Sequence, residues 1–217
     1  LLTKNPIINS LHAKSINDYT SKYFETATQL NIATGFISNE SIAELKRLVE
    51  YRKRSLNLSL FIGMNYIDGF TKLQYDAVKE LGANLLANGI GNVYVSPKAL
   101  FHGKMYSFLK GEQCLGAFVG SSNLGSFIGT SQNLIESDVF FEADYGMQVH
   151  NRIVEITNIL GEPISQAKPI ENFKEPTTAL LDGFEYVRKL NSDEKAKCLL
   201  QASQNTIRIP LKTEEKS

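Results

Sequence analysis

Short apolar runs alternate with longer stretches of helical period across the first 95 residues, and this alternation narrows the fold more than any other feature. A helical pattern spans Asn17 to Leu30, with Tyr19, Tyr23, Phe24, Ala27 and Leu30 recurring on one face. Asn31 to Ser38 then reads as a short buried strand. Ser38 or Asn39 can cap a helix that reaches Arg54, with Ile42, Leu45, Leu48 and Val49 as its apolar stripe. Leu58 to Ile62 reads as the next strand, Thr71 to Leu86 as a helix closed by Asn88-Gly89, and Asn92 to Val95 as a strand. Strands separated by helices pair through crossovers, so the expected fold is α/β, a mixed and largely parallel sheet sandwiched by helices.

The pattern then changes. From Lys104 to Phe118 two strands join at the tight turn Lys110-Gly111-Glu112, a hairpin. Glu136 to Glu142 read as a further strand and Asp144 to Leu160 as a helix. Gly161-Glu162-Pro163, Pro169 and Pro176 punctuate a looser stretch before a polar helical segment from Thr177 to about Ser203. One domain is therefore expected over 1–165, with a helical extension or linker over 166–217. Leu1 in place of Met, and the strand-like Ile207-Arg208-Ile209-Pro210-Leu211, read as a piece of something longer.

Composition removes several function classes. Lys plus Arg equal Asp plus Glu at 23 each, which argues against a purely electrostatic nucleic-acid binder. Cys114 and Cys198 are the only cysteines, too few for a cysteine-built zinc site and consistent with a reducing interior. No run approaches the roughly 20 apolar residues that cross a bilayer, and the start lacks a signal peptide's layout. A cytoplasmic protein that does not engage membranes is expected.

The chemistry concentrates between Phe101 and Glu142. His102-Gly103-Lys104 falls where a strand begins, and period-two alternation puts imidazole and ammonium on one face. Gly120-Ser121-Ser122-Asn123 follows an apolar strand, and its small residues let backbone N–H groups turn toward a bound anion. Glu136 heads the next strand, a carboxylate suited to holding an imidazole nitrogen, although Asp138 and Glu142 share its face by parity.

Taken in order, His102, Lys104, Gly120, Ser121, Asn123 and Glu136 resemble the signature of the phospholipase D superfamily, His-x-Lys followed by Gly-Gly/Ser-x-Asn and an acidic residue. The full superfamily motif has an Asp five residues after the Lys, where this chain has Leu109. That departure makes the chain more similar to the metal-independent, NgoFVII-like Type II restriction endonucleases. The pattern of resemblance covers Ile32 to about Leu160. It implies a DNA endonuclease that needs no metal or other cofactor, in which His102 attacks phosphorus to form a phosphohistidine. It also implies that Lys104 and Asn123 stabilise the non-bridging oxygens, that Glu136 orients the imidazole, and that Gly120, Ser121 and Ser122 contact the substrate. Because the chain carries one complete motif and two imidazoles are required, the resemblance implies a homodimer with one composite site. A missing DNA-recognition domain would follow residue 217. The alternatives are a phospholipase or phosphatidyl transferase of the same superfamily, and a non-catalytic nucleic-acid-binding scaffold.

Other features read more blandly. His12-Ala13-Lys14 repeats His-x-Lys with no Gly-Ser-x-Asn behind it and reads as an exposed terminal feature. Lys46, Arg47, Arg52, Lys53 and Arg54 read as a solvated helix face. His150 is expected at the surface or an interface, without chemistry.

Overall fold

In the computed structural model, residues 2–3, 14–15, 22–52, 55–127 and 137–174 are described. In chain order the elements are β1 (Leu2–Thr3), β2 (Lys14–Ser15), β3 (Gln29–Thr34), α1 (Asn39–Tyr51), β4 (Asn57–Ile62) and α2 (Asn65–Asp68). They continue with α3 (Lys72–Ala87), β5 (Gly91–Val95), β6 (Lys104–Lys110), β7 (Gln113–Gly120), α4 (Leu124–Phe127), β8 (Ser137–Phe141), α5 (Ala143–Leu160) and β9 (Glu162–Pro163). The strands form one mixed sheet in the order β2-β1-β8-β7-β6-β3-β4-β5-β9.

The mixed α/β sheet between helices is as expected, but its parallel part is confined to β3, β4 and β5 and to the two-residue contact of β1 with β2. The parallel trio arises because α1 and α3 each carry the chain back to the same end of the sheet before the next strand. The two-residue hairpin of β6 and β7 sets the opposite sense, and β6 enters antiparallel beside β3. Gly111, at φ 60°, supplies the positive dihedral that such a short turn requires.

The helix expected over Asn17 to Leu30 ends before its pattern does. Among the described residues helical structure covers 22–26, and Gln29 and Leu30 belong to β3 instead. Both are paired on two sides, to Asn57 and Leu58 of β4 and to Leu109 and Phe108 of β6, so long-range ladders override the local period. The strand also ends at Thr34, before Gly35. For α1 the cap is Ser38, whose side chain accepts from Ser41 N–H while Ser41 Oγ accepts from Ser38 N–H. Thr71 and Gln74 form the same reciprocal arrangement at the start of α3.

The principal core lies on one face of the sheet. Leu30, Ile32, Leu58, Leu60, Val93, Tyr106, Phe108 and Phe118 pack there against Ile42 and Leu45 of α1 and Val78 and Leu81 of α3. The other face is covered by α5, where Ile153 and Ile156 meet Ala33, Phe61 and Met105. The basic run on α1 divides on inspection. Lys46 pairs with Glu80 at 2.6 Å and Arg47 with Glu44 at 2.8 Å, as a solvated face permits. Arg52 instead donates to the carbonyl oxygens of Phe24 and Ala27, tying the end of α1 to the segment before β3. Lys53 and Arg54 lie outside the described residues, as do His12 and Ala13.

The chain continues along this body past residue 165. Ile164 N–H bonds to Val93 O at 2.9 Å, Ala167 is buried, and Lys174 bonds Phe70 O through its N–H and Asp68 through its ammonium. The polar segment from Thr177 to Ser203 lies outside the described residues. Among the described residues no helix is long and apolar enough to cross a membrane.

Candidate active site

Strand order changes direction at β3, with β4 and β5 on one side and β6 to β8 on the other. The carboxyl ends of β3, β4, β5 and β7 and the amino ends of β6 and β8 therefore share one end of the sheet. In α/β sheets, the carboxyl ends at such a reversal are where ligands bind. Residues 96–103, which join β5 to β6, must cross this end, and that crossing carries His102 over it.

Glycines make the crossing close. Phe101 N–H bonds to Gly63 O at 3.0 Å, and a Cβ on Gly63 would lie 2.3 Å from Phe101 O. A Cβ on Gly35 would meet His102 Cα and Cδ2 at 3.3 Å, so the turn after β3 leaves room for the imidazole. The Phe101 ring packs edge-on against Phe61, and His102 stands edge-on to Phe36 at a centroid distance of 5.7 Å. The imidazole thus has a fixed seat.

Lys104 begins β6 opposite Thr34 and is buried, with 5% of its surface exposed. Its ammonium donates to His102 O at 2.6 Å and lies 3.0 Å from Nδ1 and 3.1 Å from Nε2 of the same residue. Which ring nitrogen accepts depends on the tautomer. Tyr106, two residues on and so on the same face of β6, donates its hydroxyl to Ser122 O at 2.7 Å. One strand face therefore holds both halves of the motif: Lys104 reaches His102, and Tyr106 reaches the turn from Gly120 to Asn123.

That turn is anchored from β8. Gly120 pairs with Asp138, and a Cβ on Gly120 would fall 2.2 Å from Asp138 Oδ1. Ser122 donates its hydroxyl to Asp138 Oδ2 at 2.5 Å and its N–H to Oδ1 at 3.3 Å. Ser121 N–H donates to Ser137 O at 3.1 Å, and Ser121 Oγ accepts from Ser137 N–H at 3.0 Å. The N–H groups of Ser121 and Ser122, expected to face an anion, are thus donated into the fold. Asn123 is half-buried, and its Oδ1 is buried without a hydrogen-bond partner among the described residues.

The structure therefore gathers His102 and Lys104 in direct contact and fastens Gly120, Ser121 and Ser122 at the same end of the sheet. Glu136 lies outside the described residues. Of the two carboxylates sharing its parity, Glu142 is exposed as the residue preceding α5, and Asp138 is fully buried. Asp138 is the residue sequence reasoning under-weighted, because its only signal was that shared parity. Among the described residues no group of three or more His, Cys, Asp or Glu side chains is placed to hold a metal ion.

His150 lies elsewhere, on α5 behind the sheet, half-buried with Nδ1 3.2 Å from Ser107 Oγ. Burial lowers its pKa below the usual histidine value. Burial likewise raises the Cys114 thiol, which packs against Gly146 of α5.

No curated protein matches the chain. Similar solved structures include Nuc from Salmonella typhimurium, a phospholipase D family member, at 13% identity over 68% of this chain and 87% of that one, with a TM-score of 0.46. TrmBL2, an archaeal chromatin protein with a novel mode of DNA binding, matches at 12% identity over 67% of this chain and 50% of that one, with a TM-score of 0.42. Residues 14–165 match the family described as the NgoFVII restriction endonuclease N-terminal PLD domain, which takes in every motif residue from His102 to Glu136, and the chain belongs to that family.

Proposed function

We propose that this chain is a DNA endonuclease that hydrolyses phosphodiester bonds without a metal, as the catalytic part of a Type II restriction enzyme. The observation that carries the reading is the buried Lys104 ammonium against the ring of His102, both held at the end of β6 that also anchors the Gly120 to Asn123 turn. An imidazole nitrogen beside a fixed cation is suited to attack phosphorus while that cation meets the charge growing on the non-bridging oxygens.

In this reading a His102 ring nitrogen forms an N–P bond as the P–O bond to the leaving nucleotide breaks. The departing oxygen takes a proton from His102 of the partner subunit, acting as general acid. Water then attacks phosphorus, the N–P bond breaks, and the partner imidazole takes the proton that water releases. Lys104 donates to one non-bridging oxygen and Asn123 to another, the carboxamide turning its Nδ2 toward the anion. Glu136 accepts from the far nitrogen of the attacking ring and stabilises its charged form. Two chains supply the two imidazoles, so the active species is a homodimer with one composite site. The catalytic unit corresponds to 1–165, and residues 166–174 pack along it.

The test is incubation of the purified protein with supercoiled plasmid in excess EDTA, followed by acid-free quenching and mass analysis of tryptic peptides. Cleavage together with a phosphoryl adduct on the peptide containing His102 is the expected result. No cleavage across permissive salt and pH, or cleavage that stops when metal is withdrawn, would overturn it.

A further inference from the structure

Asp138 takes no part in the reaction just described, yet it is the most completely enclosed carboxylate among the described residues, with 0% of its surface exposed. An ionised carboxylate at such a depth is costly unless donors are aimed at it. Two of them come from Ser122. Ser122 presents its hydroxyl to Oδ2 and its N–H to Oδ1, while its carbonyl oxygen accepts from the equally buried Tyr106 hydroxyl. Donor, acceptor and hydroxyl of Ser122 are thereby all fixed by side chains of two different strands. The very next residue is Asn123, whose Oδ1 is buried with no hydrogen-bond partner among the described residues.

Oδ1 can only accept, so the group that would meet a phosphate oxygen is Nδ2 of the same carboxamide, and where it stands is set by the backbone that Ser122 fixes. We infer that Asp138 is a positioning residue: by holding the hydroxyl and N–H of Ser122 it fixes the backbone from which the Asn123 side chain leaves, so that Nδ2 can meet a phosphate oxygen. The inference rests on the proposed phosphodiester chemistry and adds to it a residue that the motif does not contain. It also explains Gly120, since any side chain there would displace the Asp138 carboxylate at 2.2 Å.

The experiment compares Ser122→Ala, Asp138→Asn, their double variant and Tyr106→Phe with the parent, all as full-length protein. Ser122→Ala removes one hydroxyl and Asp138→Asn preserves shape, so folding is checked by thermal melting and circular dichroism. With plasmid DNA, Ser122→Ala and Asp138→Asn are expected to lower kcat by about 10- to 100-fold, with KM changed less than about threefold, as loss of a transition-state contact requires. The double variant is expected to be no worse than the poorer single one, because both break the same link. Tyr106→Phe is expected to lose less.

An activity-independent reading separates this inference from the nuclease assignment. The side-chain amide signals of Asn123, identified by their loss in Asn123→Ala, are followed by 1H–15N NMR during titration with inorganic phosphate. They are expected to shift in the parent and not in Ser122→Ala or Asp138→Asn. If folded variants keep both the parent kcat and the phosphate response, Asp138 has no positioning role, whatever the parent does to DNA. If the parent fails to cut DNA but the phosphate response depends on Asp138 and Ser122, the nuclease reading fails and this one stands. Should Asp138→Asn not fold, Ser122→Ala alone decides the matter.

Discussion

His102 and His150 both belong to the sheet's surroundings, but they keep different company. His150, on α5, touches the hydroxyl of Ser107, a pairing of imidazole and potential nucleophile that in isolation resembles a hydrolase dyad. Ser107 is fully buried, so no substrate can reach it, and the contact serves packing between α5 and β6. His102 touches a lysine rather than a hydroxyl, and stands where strand order reverses and glycines thin the backbone. The difference teaches that a histidine's neighbour has to be read together with its position. His102 is exposed with a cation beside it, whereas the hydroxyl beside His150 is closed off, and the proposed reaction needs the first arrangement.

The sharpest way to break that comparison is to remove each ring in turn. His102→Ala is expected to bring DNA cleavage to background, while His150→Gln leaves it within about threefold, measured as initial rates on plasmid. Equal losses in both variants would show that the two sites are not functionally distinct. A smaller but still large effect is expected from Lys104→Ala. Losing one donor to the developing charge costs about 10²- to 10³-fold in kcat, so single-turnover rates should fall by that factor with DNA binding nearly unchanged. A loss confined to binding would recast Lys104 as an electrostatic anchor.

The smallest effect concerns stability and belongs to His150. Burial lowers its folded-state pKa below 6.5, so on acidification the unfolded chain takes up a proton that the folded chain refuses. Its contribution to stability is complete above about pH 7 and is lost as pH falls below about 6.5 toward the folded value. Melting temperature followed from pH 7.5 to 5.5 should decline less steeply in His150→Gln than in the parent. Parallel curves would mean that the α5 contact carries no proton linkage.

Much of this architecture was legible locally. The cap at Ser38, the crossover helices, the Gly111 turn and α5 each follow from residues within one turn or hairpin of one another. The errors have a common origin. Gln29 and Leu30 carry a helical period but lie between two strands that claim their backbone groups from opposite sides. Arg52 reads as one more surface cation, yet carbonyls 28 and 25 residues earlier in the chain capture its guanidinium. Parity could not choose among Glu136, Asp138 and Glu142, because alternation fixes a face and not a depth. Burial against Ser122 singles out Asp138 as the anchor of the turn.

By itself the sequence determined the kinds of element, their order, and the residue types able to do phosphoryl chemistry, since these depend on period, capping and side-chain identity over short spans. The tertiary structure decided that β6 runs antiparallel beside β3, that residues 96–103 cross the sheet's end, and that Lys104 and Tyr106 fasten two distant motifs from one strand. A strand's alternating side chains are satisfied equally well in either direction and beside several partners. Only the simultaneous burial of both sheet faces selects one pairing, and that selection is non-local.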